Sequence, residues 1–169
     1  LVDPSIRYVS QSAQAGDGSR ASPWNDLQFA LCQLQPGQTL MVLEGDFGPL
    51  LVDQDCSAGT EVATIDVYFS RTSRLIGAES PDAALLDLRQ PHWAIYGLEA
   101  MLSHQQTGVF IAPGNSNIYL EALKIRGGSG QGVRIGFGAR DVKVHRSHIH
   151  HIGINAQGTA VDASSQAVS

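Results

Sequence analysis

From residue 39 onward, the chain alternates short apolar runs with clusters of glycine, serine, asparagine and aspartate. The runs are rich in valine, isoleucine and leucine, and clear examples cover residues 50–52, 63–69, 74–76 and 85–88. Runs of this length, bounded by turn-forming residues, predict many short β-strands. No second helical pattern of comparable strength follows the one near the N-terminus.

The N-terminal part of the chain has a different pattern. Residues 7–10 have the pattern of a short strand, and a polar loop rich in glycine and serine follows them. Residues 27–34 carry apolar side chains at the spacing of one helical face, which predicts an amphipathic helix. Two residues are candidate N-caps for this helix: Ser22, which precedes Pro23, and Asn25.

A proline–glycine pair at residues 36–37 ends the predicted helix, since proline cannot continue it. Residues 39–43 then form a strand pattern. Residues 44–49 contain two glycines and a proline and are predicted to form a turn.

A repeat of about 24 residues organises the second half of the chain. Residues 117–125 recur as residues 141–149, and residues 108–111 recur as residues 132–135. Fainter copies extend the repeat: residues 84–87 precede residues 108–111 by 24, residues 93–95 precede residues 118–120 by 25, and residues 158–161 follow residues 132–135 by 26. A fixed period in this range indicates a stacked repeat architecture.

The repeat and the strand pattern together predict the fold class. We expect an all-β, right-handed parallel β-helix of about five coils, with an N-terminal capping helix. A single domain covers residues 1–169, with the strand, loop and cap helix in residues 1–38 and the coils in residues 39–169. No matching cap pattern follows the last strand-like segment, so we expect either further coils beyond a truncated C-terminal end or another chain, as in a homo-oligomer, to cover that end.

The N-terminal motifs resemble those of a known superfamily. They are Tyr8-Val-Ser, Gly16-Asp-Gly, Pro23-Trp, Pro36-Gly-Gln-Thr and Glu44-Gly-Asp-Phe. This pattern resembles the cap of pectate-lyase-like parallel β-helix proteins, nearest to polysaccharide lyases of the chondroitinase B and alginate lyase type. The resemblance implies a lysine or arginine base on a middle coil, often with Ca²⁺, and export to an extracellular or periplasmic location. Gln38 stands where the pattern usually has aspartate.

Composition narrows the set of partners. The chain has a net charge of −5 and 16% charged residues, which argues against nucleic acid as the main partner. No apolar run approaches the length of a membrane-spanning helix, so no membrane insertion is expected. Cys32 and Cys56 can form one disulfide or remain as two buried thiols, and the sequence leaves both alternatives open.

The repeat also predicts which side chains meet on the surface. Alternate residues of a strand face opposite sides, and adjacent coils stack about 4.8 Å apart. The inward set of one coil comprises Ile118, Leu120, Leu123 and Ile125. The outward pairs predicted by the 24- and 25-residue offsets are Tyr119 with Lys143, Glu121 with His145, Lys124 with His148, Arg126 with His150, and Glu99 with Lys124.

These pairs define two basic surfaces that suit an anionic sugar chain. We expect Lys124, Arg126, His148 and His150 to bind an acidic polysaccharide, and Lys143 or His145 to transfer a proton. β-Elimination from a uronate needs a cation to neutralise the carboxylate and a base to remove the C5 proton. The sequence thus favours a polysaccharide lyase.

Several alternatives stay open at this point. The chain can be a non-catalytic structural or carbohydrate-binding β-helix, such as an adhesin or a tailspike-like piece, or a C5-epimerase. The basic surfaces can also be an ordinary solvated face, with Glu99 and Glu121 as ion-pair partners. No metal site is predicted, because a site from His148, His150 and His151 would have one histidine on the wrong face and no fixed carboxylate.

Overall fold

The computed structural model of the chain describes residues 3–77 and 84–150. These residues contain fifteen β-strands and one α-helix. In chain order, the elements are β1 (Ile6–Val9), α1 (Leu27–Gln33), β2 (Thr39–Val42), β3 (Gly45–Phe47), β4 (Leu50–Val52), β5 (Ile65–Phe69), β6 (Ser73–Ile76), β7 (Ala84–Leu88), β8 (Trp93–Tyr96), β9 (Glu99–Leu102), β10 (Thr107–Ile111), β11 (Ser116–Glu121), β12 (Lys124–Gly127), β13 (Gln131–Ile135), β14 (Arg140–His145) and β15 (His148–His150).

The strands form three parallel sheets that run along the molecule. Sheet A has the order β1-β2-β5-β8-β11-β14, sheet B the order β3-β6-β9-β12-β15, and sheet C the order β4-β7-β10-β13. Each turn of the chain contributes one strand to each sheet, so the described residues make four complete turns and the first two strands of a fifth. This confirms the predicted parallel β-helix with its N-terminal capping helix.

The interior is a column of apolar side chains stacked turn upon turn. The predicted inward set is confirmed, since Ile118, Leu120, Leu123 and Ile125 are all buried. Trp93 is fully buried, and its indole Nε1 donates a hydrogen bond to the Ser57 carbonyl at 3.0 Å. Alternation along strands such as β2, β5 and β6 separates an apolar interior from polar outer faces.

The N-terminal cap covers the first turn of the β-helix, where no complete turn precedes it. The Gln28 side chain on α1 donates to the Leu51 carbonyl and accepts from the Leu51 N–H, both at 2.8 Å. Gln11 makes the same pair of hydrogen bonds with the backbone of Asp46, at 2.8 and 3.0 Å. Two side-chain amides thus satisfy backbone groups that would otherwise lie unpaired at the sheet edges.

A disulfide fixes the cap to the first turn. Cys32 on α1 is bonded to Cys56, which follows β4. Of the two alternatives that the sequence left open for these cysteines, the structure has the bonded one. Trp24 packs against the core beside the same helix, with its ring 5.9 Å from that of Phe29.

Two local predictions are wrong. The N-cap of α1 is Asp26, whose carboxylate accepts a hydrogen bond from the Phe29 N–H, and neither Ser22 nor Asn25 holds this position. Residues 44–49, predicted to be a turn, contain the strand β3. β3 forms because it pairs in register with β6, a contact between residues about 28 apart in the sequence that turn propensities do not report.

One offset that the repeat predicts differs from the pairing in the structure. The sequence pairs residues 84–87 with residues 108–111, an offset of 24, whereas the structure pairs Ala84 with Thr107 and Asp87 with Phe110. Because strand faces alternate, this shift of one residue exchanges inward and outward positions. The other tested offsets are confirmed by the pairings of Val109 with Val133 and of Ile118 with Trp93. The copy at residues 158–161 lies outside the described residues.

Within residues 3–77 and 84–150, no helix is long and apolar enough to span a bilayer.

Candidate functional sites

The predicted outward pairs are confirmed by the register of the sheets. On sheet A, Tyr119 pairs with Lys143 and Glu121 with His145. On sheet B, the paired strands align Lys124 with Glu99 on one side and His148 on the other, and Arg126 with His150. The sequence therefore identified which side chains meet. What these side chains can do depends on their contacts.

Lys124 and Arg126, the two cations of β12, both interact with the carboxylate of Glu99. Glu99 Oε1 accepts a hydrogen bond from Arg126 Nη2 at 3.0 Å and lies 3.8 Å from Lys124 Nζ. Glu99 thus neutralises part of the charge that was predicted to bind a polyanion. Such half-exposed ion pairs are weak, so a ligand carboxylate can compete for them.

The two histidines of β15 lie on the same side of sheet B. Their rings meet edge to face, with the centroids of His148 and His150 4.6 Å apart. His151, the third histidine considered for a metal, lies outside the described residues.

On sheet A, acid–base groups cluster around Tyr119. Its hydroxyl donates to Glu121 Oε2 at 2.8 Å, and its ring lies 5.4 Å from the His145 ring in a stacked arrangement. Arg146 Nη1 reaches the other oxygen of Glu121 at 3.4 Å. The hydrogen bond to Glu121, with burial and the carboxylate charge, raises the pKa of Tyr119 above its usual value. Tyr119 therefore keeps its proton at neutral pH. We call Tyr119, Glu121, Lys143, His145 and Arg146 the sheet A cluster.

A column of rings continues from this cluster across sheet A. The Tyr68 and Tyr96 rings are stacked with centroids 4.3 Å apart, and Tyr96 lies 5.7 Å from Tyr119. Burial, with the nearby charge of Asp66, raises the pKa of Tyr96 to about 12. Because the rings cover one another's faces, they present mainly edges and hydroxyl groups to a ligand.

A groove on a different face was not predicted. It has a volume of about 470 Å³ and lies over the outer side of sheet C, beside α1. Its lining comprises Gln28, Pro49, Leu50, Leu51, Ala84, Asp87, Arg89, Thr107, Phe110 and Arg134. We call it the sheet C groove.

Charged and aromatic side chains line the floor of the sheet C groove. Arg134 pairs with Phe110 in the sheet, and its guanidinium carbon lies 5.4 Å from the Phe110 ring centroid, within cation–π range. Arg89 Nη2 lies 2.8 Å from Asp87 Oδ2, and this interaction raises the pKa of Arg89. These two arginines give the groove cations that can bind an anion.

The sequence repeat predicts one of the residue pairs that line this groove. Residues 108–111 and 132–135 are matched copies, so the pairing of Phe110 with Arg134 follows from the 24-residue offset. The pairing of Phe110 with Asp87 does not, because its offset is 23. Recognising the groove also required the position of α1, which forms one wall and which no repeat relates to sheet C.

The described part of the chain has no preformed binding site for the Ca²⁺ that the resemblance implies. Ca²⁺ takes six to eight oxygen ligands, usually several of them carboxylates. Residues 3–77 and 84–150 contain no group of three or more histidine, cysteine, aspartate or glutamate side chains arranged to hold a metal. No step of a mechanism is therefore assigned to a metal.

Comparisons with known proteins agree on the fold. No protein-family model matches the chain, and no curated protein sequence matches it. Among solved structures, a rhamnogalacturonan lyase is similar over 93% of this chain and 44% of its own, with a TM-score of 0.63 and 11% sequence identity. The pectate lyase Pel9A is similar over 95% of this chain and 57% of its own, with a TM-score of 0.52 and 14% identity.

The chain therefore spans about half the length of these two structures. At such low identity the likeness concerns architecture alone. It agrees with the three parallel sheets and the N-terminal cap described above. The chain has the parallel β-helix fold of the pectate-lyase-like proteins.

Proposed function

We propose that this β-helix acts on an acidic polysaccharide and cleaves it next to a uronate by β-elimination. The observation that supports the proposal is the sheet A cluster, in which two cations, an imidazole, a phenol and a carboxylate meet on adjacent turns. The shared fold with two polysaccharide lyases adds support but does not bring their substrates to this chain.

Each part of the reaction has a candidate group in the sheet A cluster. Lys143 and Arg146 are exposed cations that can neutralise the uronate carboxylate and so acidify the C5 proton. His145 or Lys143 removes that proton. Tyr119 donates its hydroxyl hydrogen to Glu121, and the same hydroxyl, turned from Glu121 to the glycosidic oxygen, can protonate the leaving group. Lys124, Arg126, His148 and His150, on the neighbouring sheet, extend the basic surface for further sugars.

The sheet C groove favours a second candidate function, which is glycan binding without cleavage. It is concave, and a concave surface encloses more of a ligand than an open strand face does. Its cations are arginines, which bind carboxylates well but are too basic to act as a proton acceptor at ordinary pH. The groove therefore offers affinity for an acidic chain without an evident base of its own.

Paired variants separate the two functions. The double variant Lys143→Ala/His145→Ala should lower the rate of uronate cleavage by about 10²-fold or more, and glycan affinity should fall only modestly. Arg134→Ala should weaken binding by about tenfold if the groove holds the glycan. Arg71→Ala, at an exposed arginine outside both sites, is the matched control.

The measurements are the ultraviolet absorbance of the new double bond and calorimetric titration with alginate, pectate and chondroitin sulfate. If none of these polymers produces absorbance with Ca²⁺ present, the cleavage proposal is wrong, and binding that depends on Arg134 then supports the second function. A changed uronate composition without chain cleavage would identify a C5-epimerase instead.

A further inference from the structure

The sheet C groove is the first of three successive surface cavities. A second cavity of about 370 Å³ shares Gln28, Pro49 and Leu50 with it. A third cavity of about 330 Å³ shares Gln11 and Asp46 with the second. Each cavity adjoins the next through these shared residues, and the series forms a path from sheet C past α1 to the loop after β1. We call this path the extended groove.

The two ends of the extended groove differ in charge. The sheet C end contains Arg134 and the ion pair of Arg89 with Asp87, while the far end contains Glu44 and Asp46. Arg74 neutralises Asp46 through two hydrogen bonds, from Nε at 2.6 Å and from Nη2 at 3.0 Å. Glu44 has a different environment and is the main negative charge at the far end.

Glu44 is held in position by two hydroxyl groups. Its Oε1 accepts hydrogen bonds from Ser12 and, at 3.0 Å, from Ser10. The hydrogen bonds from Ser12 and Ser10 lower the pKa of Glu44, so it stays ionised in mildly acidic solution. The side chain is exposed, and its second oxygen faces no cation among the ion pairs of the described residues.

Between the ends, polar wall groups are already hydrogen-bonded within the protein, including the Asp26 carboxylate, which accepts from the Phe29 N–H. The amides of Gln11 and Gln28 hydrogen-bond to the backbone of Asp46 and Leu51, which makes them fixed walls rather than adaptable ligands. Asn25 is exposed in the same segment and offers an uncharged amide. This middle segment therefore suits uncharged hydroxyl-bearing rings.

We propose that the extended groove binds a mixed glycan, with a uronate at the Arg134 end and neutral sugars at the Glu44 end. A neutral sugar donates its hydroxyl hydrogens to the Glu44 carboxylate, a charge-assisted bond of the stronger kind. A second uronate at the same place brings a like charge against Glu44 and has fewer hydroxyls to donate. Glu44 is thus a residue that determines specificity. The inference rests on the proposed action on an acidic polysaccharide.

The test compares three polymers: a homopolymer of uronate, a polymer in which uronate alternates with a neutral sugar, and a neutral polymer. Affinities are measured by calorimetry at low salt for the unmodified chain and for Glu44→Gln, in one series with EDTA and in a second with Ca²⁺. We expect the unmodified chain to prefer the alternating polymer. Glu44→Gln, which keeps the shape of the side chain, should raise affinity for the homopolymer by about threefold to fivefold.

Two variants complete the design. Glu61→Gln, at an exposed glutamate outside the groove, should leave all affinities unchanged. Arg134→Ala should weaken binding of both uronate polymers. Circular dichroism confirms that each variant is folded.

Three results would overturn the inference. They are equal affinity of the unmodified chain for homopolymer and alternating polymer, no change of that ratio in Glu44→Gln, and homopolymer binding that requires Ca²⁺ and is lost in Glu44→Gln. The last would make Glu44 a cation ligand. If no uronate polymer binds or is cleaved at all, the proposed function itself is wrong, which is a different outcome.

Discussion

At the scale of single residues, the turns between sheets A and B depend on the left-handed backbone region. Gly97, Ala122 and Arg146 occupy equivalent places after β8, β11 and β14, with φ of 72°, 55° and 46°. Asn117 and Asp141, whose residue types tolerate this region, have φ of 57° and 53°. Glycine adopts such angles freely, whereas a side chain with a Cβ is strained there.

Substitution of Ala122 should therefore change the stability of the folded chain. Ala122→Gly should raise the free energy of unfolding by about 0.5–1 kcal/mol, because relief of the left-handed strain exceeds the added entropy of the unfolded glycine. Urea unfolding followed by circular dichroism measures the change.

Gly97→Ala is the matched reverse variant. It should destabilise the chain by at least about 1 kcal/mol, because the new Cβ would meet the Phe69 carbonyl oxygen at 2.9 Å. A loss of stability in Ala122→Gly would show that strain at this turn is small.

At the scale of elements, the capping helix shows what patterns can and cannot locate. The apolar spacing predicted α1 within one residue at its C-terminal end, since burial of Leu27, Ala30 and Leu31 on one face follows from that spacing. The N-cap was wrong because residues 22, 25 and 26 are all capable caps, and the packing of the helix on the first turn decides among them.

The disulfide between α1 and the first turn should contribute to stability. It closes a sequence separation of 24 residues, for which chain entropy predicts about 3–4 kcal/mol. Adding a phosphine reductant, or the double variant Cys32→Ser/Cys56→Ser, should lower the urea midpoint accordingly.

The double variant also provides the control for this prediction. Its unfolding should not respond to reductant, whereas that of the unmodified chain should. If reductant leaves the unmodified chain unchanged, the helix is held by packing and by Gln28, and the covalent bond adds little.

At the scale of the whole molecule, ion pairs join successive turns along the outer faces. Asp46 with Arg74 joins the first and second turns, and Glu99 with Arg126 joins the third and fourth. Arg74 lowers the pKa of Asp46, chiefly through its hydrogen bonds. A carboxylate with a lowered pKa stabilises the folded state above the unfolded pKa, and this contribution is lost as the pH falls through the folded value.

Acid should therefore destabilise the β-helix, beginning with its N-terminal turns. Stability should decline as the pH falls below about 4, the ordinary range of aspartate. Asp46→Asn should remove part of that decline and make the chain less stable at neutral pH. Thermal unfolding between pH 2 and pH 7 measures both effects, with Glu61→Gln as the control. An identical pH profile for Asp46→Asn and the unmodified chain would contradict this role.

Much of the architecture follows from the sequence alone. The 24- and 25-residue offsets assign Ile118 and Leu120 to the interior and Lys143 and His145 to the surface, because strand faces alternate with a period of two and coils stack in register. The same offsets pair Tyr119 with Lys143, so the repeat by itself predicts part of the sheet A cluster. The repeat does not predict the hydrogen bond of Tyr119 to Glu121 or the stacking of Tyr119 on His145, because both depend on side-chain rotamers.

Tertiary structure alone decided three features. β3 exists because β6 lies beside it, and the offset of 23 between Asp87 and Phe110 depends on how the loops between turns are accommodated. The extended groove arises where α1, the loop after β1 and sheet C meet, three parts of the chain that no repeat relates. A periodic sequence determines which side chains stack within the coils, whereas a concave surface between non-repeated parts depends on how those parts pack in space.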